Sequence, residues 1–106
     1  KFYLRNIKNN KVLLVKVDKS FEHGWHLFVI RCKSRNRLRS YLKKRNIETM
    51  IHYPIPPHKQ KAFQELNNKN FRITEKITKE ILSLPIFPTL RKSQYRYIVN
   101  TLNNFK

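Results

Sequence analysis

The residues best suited to chemistry sit together in "IHYPIPPHKQ", where His52 and Tyr53 precede one proline and His58 follows three, all inside seven positions. An imidazole can ligate a metal, move a proton or donate to a phosphate, and a phenol can donate a hydrogen bond. Pro54, Pro56 and Pro57 fix φ and remove three backbone donors, which imposes an extended, polyproline-like path. A rigid turn, a metal site and the wall of an active site all fit that pattern.

Other chemistry is poorly served. His23 and His26 form H-x-x-H and His52 and His58 form H-x5-H, but residues three apart on a strand point to opposite faces and no cysteine cluster supports either pair, so no metal is expected. Cys32 lies at a strand end beside Lys33 with no identifiable base, and reads as a structural thiol. Being the only cysteine, it excludes an internal disulfide and favours a reducing compartment. The six acidic residues are scattered over separate elements, which sets paired-carboxylate hydrolysis aside. The single glycine, Gly24, cannot build a phosphate-cradling loop.

The elements that must position these residues follow from periodicity. "FYLRNIK" has the spacing of the last turns of a helix, stopped by Asn9 and Asn10. "KVLLVKV" reads as strand, followed by a turn through Asp18 to Ser20. "WHLFVIRC" alternates so that Trp25, Leu27 and Val29 share one face and His26, Phe28, Ile30 and Cys32 the other. Ser34 is placed to cap a helix with a stripe of Leu38, Tyr41 and Leu42, and Asn46 suits its left-handed C′ position. "IETMIHY" predicts a second short strand before the prolines. A short helix with Ala62, Phe63 and Leu66 on one side follows, then a loop over 67–70. Thr74 is placed to cap a helix burying Ile77, Ile81 and Leu82, with Ile73 stapled on Ile77. "LSLPIFP" is extended, and a last helix from about Lys92 to Asn104 carries Tyr95, Ile98, Val99 and Leu102 at helical spacing. The fold class is therefore α/β (α+β): one small domain over 1–106, a two-layer sandwich with helices on one face of a small, mainly antiparallel sheet.

Charge is the other strong signal. Lysine and arginine total 24 against 6 acidic residues, a formal net charge of +18 with a pI near 10.6. Such a field attracts polyanions, although a Lys/Asn/Ile bias with lysines on solvated faces produces the same count. Aromatics on a strand before a basic helix resemble a stacking platform for single-stranded RNA, but the alternation puts Trp25 and Phe28 on opposite faces, so nucleic-acid binding is expected to be non-specific only. No apolar run reaches the roughly 20 residues of a spanning helix, so a soluble, cytoplasmic protein without membrane contact is expected. The chain opens at Lys1 without an initiator methionine, as a piece of a longer polypeptide would.

Taken in order, "GWHLFVIRC", "RNRLRSYLKKRNIETMIHYPIPPHKQKAFQEL", "ITEKITKEILSLPIFPTL" and "YIVNTLNNF" resemble the C-terminal domain of the pyridoxal-phosphate-dependent nucleotide-sugar aminotransferases of the DegT type. The resemblance runs from about Val12 to Phe105. It implies amino transfer from an amino acid, glutamate by expectation, to a keto sugar nucleotide for lipopolysaccharide and other surface polysaccharides. It also implies that His52, Tyr53 and His58 face the substrate, with the prolines keeping the segment stiff. The family's cofactor lysine, its preceding Ser-His signature and the aspartate for the pyridinium nitrogen belong to a large domain absent from this chain. Pyridoxal phosphate is thus expected in the parent family and no cofactor in the isolated chain, which is expected to be inactive. The implied partners are the missing large domain, the nucleotide sugar and a second subunit, since the family is typically homodimeric. Two departures stand out: Asn46 where a glycine is usual, and Pro57 in place of the apolar residue before His58. A small basic nucleic-acid-binding α/β module is the alternative, and an independent partner subunit a third.

Overall fold

The computed structural model describes residues 1–18, 20 and 22–106. In chain order it contains α1 (Phe2–Asn6), β1 (Leu13–Leu14), β2 (Phe28–Arg31), α2 (Arg35–Lys43), two 3₁₀ turns (Pro57–Lys59 and Lys61–Leu66), α3 (Arg72–Glu80), β3 (Ile81–Leu84) and α4 (Lys92–Asn103). The strands form one antiparallel sheet in the order β1-β2-β3, with Ile30 opposite both Leu14 and Leu82 and Phe28 opposite Leu84. This register puts Phe28, Ile30, Leu82 and Leu84 on one face, all buried. Leu38 and Leu42 of α2, Ile98, Val99 and Leu102 of α4, and Tyr3 of α1 join them in a single core. Tyr3 packs its ring 4.8 Å from that of Phe28 and donates its hydroxyl to the Pro85 carbonyl at 2.8 Å, so the burial that anchors α1 leaves no polar atom unmet.

The helices with a clear 3.6-residue period appear where the pattern put them. α2 ends in a left-handed Asn46 at φ 56°. The Asn46 amide donates to Lys43 and the Ile47 amide to Leu42, each at 3.0 Å, while Leu42 and Ile47 pack in the core. That pairing satisfies two last-turn carbonyls and redirects the chain toward the proline segment. Ser34, by contrast, makes no side-chain cap. In α4 the Arg91 amide donates to Gln94 Oε1 at 2.9 Å, closing the first turn.

The short elements depart from expectation. The predicted strand over 11–17 is reduced to Leu13 and Leu14, the residues with partners in β2, while Val12 turns into the core. Trp25 adopts φ 48°, which breaks the extended run, so β2 begins at Phe28. The expectation of opposite faces for Trp25 and Phe28 is therefore corrected. Folded back, the Trp25 ring stacks on Phe28 (5.4 Å, 22°), and His23 stacks on Trp25 (4.0 Å, 17°). The predicted strand over 47–53 contributes only the Met50–Ser83 bridge, with bonds of 3.2 and 2.7 Å. Its next pair would set Glu48 against Pro85, which has no amide hydrogen to give.

Ala62 and Phe63 are exposed and Leu66 half-buried, because Phe63 (φ −127°, ψ 42°) breaks the turn that would have aligned them. α3 starts at Arg72, ahead of Thr74, with Glu75 accepting the Phe71 amide at 3.4 Å. Ile73 is 77 % exposed and staples nothing. Ile81 and Leu82 belong to β3, and the buried residue of α3 is Glu80, held by Arg31 at 2.6 and 3.1 Å. Among the described residues, no helix is long and apolar enough to cross a membrane.

Candidate functional site

A cleft of about 700 Å³ opens between the 46–52 segment, the chain from Ser83 to Leu90 and the first turns of α4. Each wall follows from a local feature already described. The Asn46 turn sends Ile47 to Met50 along β3, Pro85 releases the chain from the sheet, and α4 presents Gln94, Tyr97 and Ile98 to the gap. The lining has more apolar than polar surface, with His52, Ser83, Gln94 and Glu48 among the groups able to orient a polar ligand.

His52 stands half-buried in this cleft with Nδ1 2.9 Å from the Ser83 hydroxyl. Tyr53 meets the His52 ring edge-on at 5.7 Å and is 71 % exposed. The peptide bond between the two residues is cis. His58 is elsewhere. It is 4 % exposed, its Nε2 lies 3.0 Å from Glu75 Oε1, and its ring packs edge-on against Phe71 at 4.8 Å. The hydrogen bond from His58, followed by that from the Phe71 amide, holds the Glu75 carboxyl below its ordinary range, with the charges of His58 and Lys59 acting in the same direction. The structure thus places His52 in the cleft wall with the exposed Tyr53 ring against it, outside the lining, and draws His58 to the start of α3, where it fastens the proline segment.

Ser83 was not singled out from the sequence, yet it is the cleft's most enclosed polar side chain, 5 % exposed. A signal existed: a lone hydroxyl inside the apolar run "ILSL" needs a partner once the strand is buried. Glu75 was likewise missed, because its role depends on a histidine 17 residues earlier.

With this geometry in view, the comparisons with known proteins are direct. The model of the DegT/DnrJ/EryC1/StrS aminotransferase family matches residues 1–103, and the chain belongs to that family. It is 44 % identical over 104 residues to the dTDP-3-amino-3,6-dideoxy-alpha-D-galactopyranose transaminase of Aneurinibacillus thermoaerophilus, covering 98 % of this chain and 29 % of that protein. It is 34 % identical over 83 residues to the dTDP-3-amino-3,4,6-trideoxy-alpha-D-glucose transaminase of Streptomyces venezuelae, covering 76 % of this chain and 22 % of that one. The crystal structure of S. venezuelae DesV in complex with a ketimine intermediate superposes with a TM-score of 0.86 at 29 % identity, over 95 % of this chain and 28 % of that chain. Sugar aminotransferase CalS13 of Micromonospora echinospora, at 12 % identity and TM-score 0.87, shares the fold. The chain spans less than a third of the length of these relatives and matches their C-terminal part.

These residues do not fit covalent attachment of an aldehyde cofactor. Every lysine among the described residues is exposed, whereas a cofactor lysine needs an enclosed pocket that lowers its proton affinity. No step of cofactor chemistry is assigned to this chain.

Proposed function

We propose that this chain is the C-terminal region of a nucleotide-sugar aminotransferase, which transfers an amino group from glutamate to a keto sugar on a nucleotide diphosphate. The observation that carries the reading is the 44 % identity sustained over 98 % of the chain to a dTDP-amino-sugar transaminase. In this reading Tyr53 and His52 face the sugar nucleotide, where a phenol and an imidazole donor suit hydroxyl and diphosphate oxygens. His58 keeps the proline segment seated on α3 through Glu75. A large domain supplies pyridoxal phosphate with its lysine and docks on the apolar cleft, the enzyme works as a homodimer in the cytoplasm, and its product feeds lipopolysaccharide or another surface polysaccharide.

The test is a graft. Residues 1–103 replace the matching segment of the A. thermoaerophilus transaminase, and the chimera is assayed for amino transfer to that enzyme's own keto sugar nucleotide. Amino transfer by the folded chimera is expected, with Tyr53→Ala raising KM at least about tenfold if the lost contact is worth about 1.4 kcal/mol. A folded chimera without activity defeats the reading. The 106-residue chain alone, mixed with pyridoxal phosphate and desalted, is expected to retain no borohydride-reducible absorbance. A stable band mapped to one lysine would show a cofactor site within this chain.

A further inference from the structure

Ser83 occupies an unusual position in β3. Its backbone amide and carbonyl are both committed to Met50, its neighbour across the other side is Val29, and its side chain is almost fully enclosed. Among the described residues the hydroxyl has one partner, His52 Nδ1 at 2.9 Å. Two arrangements satisfy that distance. In the first, the imidazole carries its hydrogen on Nδ1 and donates to the serine oxygen, which leaves the serine hydrogen enclosed with no acceptor. In the second, the serine donates to an unprotonated Nδ1, and the hydrogen of the neutral ring sits on Nε2. The second leaves no buried donor without a partner and is the favoured one.

We infer that Ser83 is a positioning residue that holds His52 as the Nε2–H tautomer. With Nδ1 engaged by Ser83, Nε2 is the ring nitrogen left for a ligand in the cleft that His52 lines. His52 then offers a fixed N–H donor, which selects a ligand presenting an oxygen acceptor such as a phosphate or sugar oxygen. The inference rests on the aminotransferase reading for the identity of that ligand. The tautomer itself follows from the contacts of Ser83 alone.

The experiment reads the ring directly. Long-range ¹H–¹⁵N correlation spectra of the ¹⁵N-histidine-labelled 106-residue chain report which nitrogen of His52 is protonated near neutral pH. The Nε2–H pattern is expected in the parent chain and in Ser83→Thr, which keeps the hydroxyl, and a mixture of tautomers in Ser83→Ala. An Nδ1–H pattern in the parent chain, or an unchanged pattern in Ser83→Ala, overturns the inference. The same variants in the grafted transaminase supply a second measurement independent of the isolated chain's folding. Ser83→Ala is expected to raise KM for the sugar nucleotide about fivefold with kcat nearly unchanged, and Ser83→Thr to restore it. An active chimera in which Ser83→Ala leaves KM unchanged counts against Ser83 and spares the proposed function. An inactive chimera counts against the function while the spectra still decide the tautomer.

Discussion

At the scale of single residues, two histidines six positions apart in one stiff segment have opposite fates. His52 lines the cleft with Nδ1 against Ser83, whereas His58 is buried against Glu75. That His52, Tyr53 and His58 share one stiff segment was legible from the prolines that flank them. Their separate roles were not, since Ser83 and Glu75 come from 31 and 17 residues further along and only the tertiary fold presents them. The Glu75 contact has a consequence with a definite sign. Its carboxyl titrates below the ordinary 4.5, first because of the His58 hydrogen bond, so the folded state takes up that proton less readily than the unfolded chain. The stabilisation is therefore fully present above about pH 4.5 and is lost as pH falls through the folded value. Glu75→Gln is expected to be less stable near neutrality and to show a shallower acid limb when urea midpoints are followed with pH. An acid limb as steep as the parent's would assign that limb to other carboxylates.

Among the elements, α2 and α4 were readable because their apolar residues repeat at helical spacing over nine and twelve residues. β1 and the Met50 bridge were not, because two residues or one carry no period, and pairing is decided by what lies across the sheet. α3 shows tertiary context overriding a local pattern. Ile81 and Leu82 continue its apolar spacing, yet β2 recruits them as strand partners and Glu80 is enclosed against Arg31 instead. The Asn46 turn is the element-level feature most open to test. A left-handed backbone penalises a Cβ-bearing residue unless, like asparagine, it tolerates that region. Asn46→Ala is expected to lower stability by about 1 kcal/mol. Asn46→Gly should stay within about 0.5 kcal/mol of the parent, because relief of the left-handed strain is offset by the freer unfolded chain. Chemical denaturation of the three proteins measures both. A stable Asn46→Ala would mean that the turn reorganises, and the cleft wall with it.

For the molecule as a whole, the charge is the dominant property not used by the cleft. Among the described residues the ion pairs are Arg31–Glu80 and His58–Glu75, which leaves most of the 24 lysines and arginines facing solvent. A surface of this kind binds any polyanion at low salt by displacing counterions, with affinities that fall to about 10⁻⁴–10⁻⁶ M under physiological conditions. Titration of several single- and double-stranded oligonucleotides at physiological salt is expected to give only that weak, sequence-indifferent association. The Trp25 stack gives no added affinity in this account, since its inner ring, Phe28, is buried. A nanomolar oligonucleotide selectively lost in a folded Trp25→Ala variant would favour the nucleic-acid module instead.

The junction of α1 with the end of α4 bears on the order in which this chain assembles. Asn9 donates to the carbonyls of both Leu102 and Phe105 at 2.8 Å, the Lys8 amide donates to Asn103 Oδ1 at 2.8 Å, and Asn103 donates back to the Asn6 carbonyl at 3.0 Å. The partners are 93 to 97 residues apart, so these bonds form only once nearly the entire chain has been gathered. The pairing of β2 with β3 joins residues 50 to 56 apart, so the closure of α1 on the end of α4, which spans more chain, is expected to follow it as a late latch. Substitutions there would register in how fast the native state opens and hardly at all in how fast it forms.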